Sequence, residues 1–61
     1  MNLIYSRPGE PKTYLVTAAE IAGSDADLNA ALPDAEPGTV IATAGYTAMK
    51  QKAADGAWVS I

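Results

Sequence analysis

The bulky apolar residues in the last third of the chain fall into three short stretches separated by two turn signals. The stretches span residues 39–44, 48–52 and 57–61, and in strand geometry their side chains alternate between two faces. Gly45 and the Asp55-Gly56 pair lie between the stretches, as an antiparallel meander requires. This predicts a carboxy-terminal three-stranded antiparallel meander, with core or interface formed by its bulky apolar residues: Val40, Ile41, Met49, Trp58, Val59 and Ile61.

The middle stretch of the predicted meander carries two lysines. Lys50 and Lys52 alternate with Met49 and Gln51, so the two pairs of side chains should lie on opposite faces. The pattern predicts that the lysines face solvent and that Met49 faces the core.

The first 17 residues have the composition of a β-hairpin. Residues 2–6 and 12–17 are rich in branched and aromatic side chains, and a turn containing Pro8 and Gly9 separates them. Leu3 and Tyr5 would share one face, and Ile4 would point to the other. Both faces would be partly apolar, so we expect another layer or another chain to cover the hairpin.

Residues 18–32 predict one or two short helical turns. Thr17 and Glu20 have the spacing of a capping box, and Gly23 would stop the first turn. Asp25 and Asp27 then stand where a helix dipole favours negative charge, ahead of an apolar stripe at helical spacing that ends at Pro33. Residues 33–38 form a linker. The predicted fold class is therefore α+β, mostly β, in one small domain over residues 1–61.

Length and composition limit how this domain can be stabilised. A chain of 61 residues buries only ~60% of its unfolded surface, which leaves little margin of stability. Small domains commonly add disulfides, a structural metal or other subunits. The chain has no cysteine and no histidine. We therefore expect it to gain buried area by forming a homo-oligomer or by docking on a larger partner.

The charge balance argues against nucleic acid as a partner. The formal net charge is −3, with only four basic residues in the chain. Nucleic-acid binding depends on several Lys or Arg contacts to phosphate, which these scattered residues cannot supply. No apolar run approaches the ~20 residues of a membrane span, so we expect no membrane association.

One oxygen-rich pattern resembles a calcium-binding loop. Asp25, Asp27, Asn29 and Glu36 stand at its positions one, three, five and twelve. However, Ala30 occupies the position of the turn glycine, and helix capping explains both aspartates without an ion. We expect no metal or other cofactor, and calcium binding stays open as an alternative.

The chain carries no recognisable catalytic constellation. Histidine, cysteine and a Gly-rich phosphate loop are all absent, and the serines and threonines have no evident base beside them. We therefore expect that the protein is not an enzyme and has no catalytic residue.

Aromatic residues raise the alternative of a glycan-binding platform. Trp58 is the single tryptophan, and a tryptophan in the last strand of a small domain favours a core or subunit-interface position. Tyr46 follows Gly45 in a turn and is the better candidate for an exposed contact.

Residues 30–61 resemble the ends of small proteins encoded beside the major capsid gene of tailed bacteriophages and prophages. The matching features are a proline-rich approach, Pro37-Gly38-Thr39 before an apolar strand, Met49-Lys50-Gln51, and a terminal Asp55-Gly56-x-Trp58 segment. The resemblance covers about half the chain and is one of composition. It implies a head-associated, fibre-like or decoration-like structural protein of the virion.

Together these features predict a structural role through protein–protein contacts. We expect a virion-associated phage or prophage protein that binds itself and a capsid protein, and that occupies the bacterial cytoplasm before assembly. The alternatives are a generic interaction or regulatory module and, third, a glycan-binding module.

Overall fold

The computed structural model describes all 61 residues as a five-stranded sheet with two short helices. The strands are β1 (Asn2–Tyr5), β2 (Thr13–Leu15), β3 (Val40–Ala42), β4 (Met49–Lys52) and β5 (Trp58–Ser60), and the helices are α1 (Ala18–Ile21) and α2 (Asp25–Ala31). The strands lie in the sheet in chain order, from β1 at one edge to β5 at the other.

The sheet is mixed, because both helices are inserted between two neighbouring strands. β1 and β2 form the predicted antiparallel hairpin, with a register shift between Leu3 and Tyr5. β2 then pairs parallel with β3, and β3, β4 and β5 follow in antiparallel order. The α+β, mostly β class is therefore correct. The predicted antiparallel meander is present as β3, β4 and β5, but it is not a separate three-stranded unit, since β3 also pairs with β2 in a mixed sheet of five strands.

Both helices begin at capping boxes. The backbone N–H of Glu20 donates to Thr17 Oγ1 at 3.1 Å, and the N–H of Thr17 donates to Glu20 Oε1 at 2.8 Å. This second bond lowers the pKa of Glu20 below its ordinary value. Ser24 and Asp27 form the same reciprocal pair at the start of α2. The predicted helix start at Thr17 is confirmed.

The core lies between the helices and one face of the sheet. It consists of five buried apolar residues with three half-buried ones packed against them: Val16, Ile21, Leu28, Ile41 and Trp58, with Tyr14, Leu32 and Ala35. Each helix contributes one buried residue, Ile21 from α1 and Leu28 from α2. Ile41 stands in the central strand and is 0% exposed.

The prediction for β4 is wrong: its lysines lie on the core side of the sheet. Lys50 is paired with Ile41, and Lys52 with Trp58, so these residues share one face. Lys52 places its ammonium 5.9 Å from the centre of the Trp58 ring and donates to the carbonyl oxygen of Ala35 at 2.9 Å. A long aliphatic stem can cover apolar surface while its charged end finds a polar partner. Met49 points to the opposite face.

We predict that Ile41→Ala destabilises the protein far more than Val59→Ala. Both residues are branched aliphatics in strands, but Ile41 is 0% exposed and Val59 is 55% exposed. The buried truncation leaves a cavity and should lower the free energy of unfolding by about 2–5 kcal/mol. Chemical denaturation at low protein concentration measures the difference, and equal losses for the two variants would contradict the assigned core.

Candidate docking surface

The face of the sheet opposite the helices has no covering layer. Strand register and alternation place ten side chains on it, which we call the open face: Asn2, Tyr5, Thr13, Leu15, Val40, Ala42, Met49, Gln51, Val59 and Ile61. Ile61 continues the β5 register, since its backbone N–H donates to the Met49 carbonyl oxygen at 3.1 Å. Two cross-strand rows result, one of which joins Leu15, Ala42, Met49 and Ile61.

The open face is apolar, uncharged and partly exposed. Six of its ten residues are aliphatic or Met, and none is ionised at neutral pH. Val59 is 55% exposed and Ile61 is 71% exposed, while Ala42 is shielded between its cross-strand neighbours. The largest apolar patch on a folded protein is often functional, which makes the open face the candidate docking surface.

The acidic residues of the chain lie away from the open face. No strand contains an aspartate or a glutamate, so all seven carboxylates belong to helices and connecting segments. Glu10 comes nearest to the face: it accepts a hydrogen bond from the Tyr5 hydroxyl at 3.1 Å. That bond raises the pKa of Tyr5. The net charge of −3 is thus distributed over the helix side and the two ends of the sheet.

The structure divides the predicted contact residues into two groups. Ile41 and Trp58 belong to the core beneath the helices. Val40, Met49, Val59 and Ile61 lie on the open face. Sequence reasoning missed Leu15 and Tyr5, which lie on the same face. The alternation predicts Tyr5 on the face of Leu3, which is wrong, because the register shift between these two residues puts them on opposite faces. Leu15 was missed because only the parallel pairing of β2 with β3 brings the hairpin beside the later strands.

The oxygen ligands of the postulated calcium loop are engaged elsewhere. Asp25 Oδ1 accepts from the Trp58 backbone N–H at 3.0 Å, and Asn29 Oδ1 accepts from the Trp58 indole Nε1–H at 2.9 Å. Asn29 also donates to the Gly56 carbonyl oxygen at 3.1 Å. Asp25, Asn29 and Trp58 therefore fasten α2 to β5. No group of three or more carboxylates stands close enough together to hold a metal ion.

Trp58 has the role of a core anchor. Its side chain is only 6% exposed and its indole N–H is bonded to Asn29, so neither ring face is free to stack on a sugar.

A cleft of ≈ 260 Å³ opens between the hairpin loop and the segment that follows α2. Pro11, Tyr14 and Leu32 are among its walls.

Tyr46 is exposed at the turn between β3 and β4. It is 61% exposed, and its φ of 57° follows a φ of 73° at Gly45. The Tyr46 N–H donates to the Thr43 carbonyl oxygen at 2.8 Å, so Gly45 is the third residue of this four-residue turn, the position at which a type II turn requires a positive φ. Tyr46 closes the turn with a positive φ of its own. For tyrosine this backbone conformation costs about 1 kcal/mol. The predicted exposure of Tyr46 is confirmed, and its role as a contact stays a prediction.

Neither helix has the length or apolar character needed to cross a membrane. Comparisons of sequence and of fold gave no matching family model, curated protein or solved structure.

We predict that Tyr46→Gly is more stable than Tyr46→Ala by about 1 kcal/mol, because only glycine relieves the positive φ. Both variants remove the exposed ring, so the difference between them isolates the backbone. Thermal or chemical unfolding of the two proteins measures it. Equal stabilities would show that the turn does not hold this conformation in solution.

Proposed function

We propose that this protein is a structural component of a larger assembly and that it acts by self-association through the open face. The observation that carries the proposal is the one-sided sheet: the helices pack on one face of the five strands, and the other face presents uncharged, mostly apolar side chains. A second copy, placed with its open face against the first, would complete a helix–sheet–sheet–helix stack. Stacked sheets pack about 10 Å apart.

The charge distribution favours a second copy of the chain as the partner of the open face. Two chains with a net charge of −3 each repel one another, yet their carboxylates lie on the sides that a face-to-face pair turns outward. No charged side chain of the open face would be buried, so the pairing carries no desolvation penalty for an ion. A basic partner surface would find no carboxylate among the ten residues.

The size of the open face limits the strength of one contact. Five strands of about four residues, at ~4.8 Å between strands and ~3.3 Å per residue, cover about 300 Å² in projection. The accessible area of protruding side chains exceeds this projected area, but it is still smaller than the ~800 Å² that each partner buries in a standard interface. A single face-to-face pair is therefore weak, and many copies held on a common scaffold would gain strength through avidity.

A virion supplies such a scaffold. The resemblance of residues 30–61 to head-associated phage proteins motivates this setting, and a repetitive capsid would present many copies side by side. In this proposal the chain has no catalytic task. It contributes apolar surface, while its buried Trp58 and the capped helices keep the sheet rigid.

An interaction or regulatory module is the second candidate, and the small footprint of the open face favours it. A surface of about 300 Å² also suits the apolar side of one partner helix or strand. In that case the purified protein would remain monomeric and would bind its partner through the same residues.

We predict that Val59→Lys weakens self-association at least tenfold. The substitution places an ammonium group within the apolar contact, and a penalty of ~1.4 kcal/mol already gives a factor of ten. Sedimentation equilibrium over a concentration series measures the dissociation constant.

Ser60→Lys is the matched control for Val59→Lys. Ser60 is the next residue of β5, is also exposed, and shares the opposite face with Lys50. The two variants therefore add the same charge to the same strand. Equal self-association of both variants, or a wild-type protein that is monomeric at millimolar concentration, would overturn the proposal.

We predict that peptides of this chain are present in purified phage particles, in many copies per particle. The particles would be obtained from the cells that encode the chain and quantified by mass spectrometry against the major capsid protein. Peptides found in the cell lysate but absent from the particles would contradict the virion setting and favour the regulatory alternative.

A further inference from the structure

The two edges of the sheet differ in whether their backbone groups are available. Along β5 every second residue directs its backbone groups towards β4. The Ala57 carbonyl oxygen accepts from the Ala53 N–H, and the Ile61 N–H donates to the Met49 carbonyl oxygen. The Trp58 N–H consequently points outward, where Asp25 Oδ1 accepts it at 3.0 Å. A carboxylate at the start of α2 thus caps the first outward N–H of the β5 edge.

The β1 edge has no such cap. All four residues from Asn2 to Tyr5 are exposed, including three large apolar side chains: Leu3 at 51%, Ile4 at 45% and Tyr5 at 42%. No residue of β1 carries a side-chain charge, and no helix or loop lies against its outer side in the sheet order. An uncharged edge with unpaired backbone groups is a template for a further strand.

We infer that β1 pairs antiparallel with β1 of a second copy and joins two five-stranded sheets into one of ten strands. The capped β5 edge selects this arrangement. A head-to-tail contact of β1 on β5 would have to displace Asp25 from the Trp58 N–H, and it would propagate into an open fibre. Pairing of β1 with itself about a two-fold axis uses the uncapped edge twice and closes.

Continuity with the open face supports a second copy over a foreign strand. Edge pairing places two open faces side by side and doubles the apolar footprint from about 300 to about 600 Å². The doubled surface approaches the ~800 Å² per partner of a standard interface. The edge contact itself does not depend on the proposed function, whereas a four-chain assembly requires both contacts.

Leu3→Lys tests the edge contact, with Ser60→Lys again as the control. Leu3 and Ser60 lie in the two outermost strands on the helix side of the sheet, because both align with the row that contains Tyr14 and Ile41. With Ile4 on the two-fold axis, each lysine would lie diagonally across from its own symmetry mate, within reach of a long side chain, and like charges so placed disfavour strand pairing. Static light scattering at millimolar protein concentration should give four chains per particle for wild type and Ser60→Lys, and two for Leu3→Lys.

A cross-linking measurement keeps the inference testable should Leu3→Lys fail to fold. The chain has no cysteine, so a single Ile4→Cys reports one contact. Residues opposite one another in an antiparallel pair have Cα atoms ~4.5–5.5 Å apart, which suits a disulfide. In a Val59→Lys background, which removes the face contact, Ile4→Cys should still oxidise to a covalent dimer, and Ser60→Cys should not.

The chain counts of the two lysine variants distinguish the open-face contact from the edge contact. If Val59→Lys leaves the chain count unchanged while Leu3→Lys halves it, the open-face proposal is lost and the edge contact stands. Equal chain counts for Leu3→Lys and Ser60→Lys, or equal cross-linking at residues 4 and 60, would overturn the inference.

Discussion

One-sided burial of the sheet is the constraint on which the rest of the structure depends. The helices α1 and α2 form the second layer of the fold. They pack on one face of the sheet through Ile21 and Leu28, and none of the 61 residues forms a layer on the other face. The stability of the protein therefore depends on the helix-covered face, and the proposed self-association depends on the bare apolar one.

Polar contacts as well as apolar packing hold the helix layer on the sheet. Asp25 and Asn29 bond to the backbone and indole of Trp58, and Lys52 reaches the carbonyl oxygen of Ala35 beside the same ring. Burial of these polar groups is tolerated because each has a partner, and the structure leaves no buried side-chain nitrogen or oxygen unpaired. The Asp25 bond also takes the outward N–H of Trp58, so α2 contributes both to the core and to the protection of the β5 edge.

Local signals in the sequence predicted local structure well. The hairpin turn at Pro8-Gly9 and the Thr17 capping box depend on residues within a few positions of each other, and both are present. The parallel pairing of β2 with β3 joins segments separated by the two helices, which no local pattern encodes. The predicted orientation of β4 is wrong because a charged side chain need not face solvent. The Lys52 stem packs beside Trp58 on the core side of the sheet. Of the open face, Val40, Met49, Val59 and Ile61 were identified as contact candidates, but Leu15 was not.

The central claim is that one face of the sheet is shielded by its own helices and the other only by another chain. A dilution series of methyl-resolved NMR spectra tests it most directly, because each residue reports its own environment. The signals of Met49, Val59 and Ile61 should shift with protein concentration, while those of Leu28 and Ile41 remain constant. Spectra that do not change between micromolar and millimolar protein, or changes confined to the core residues, would contradict the claim.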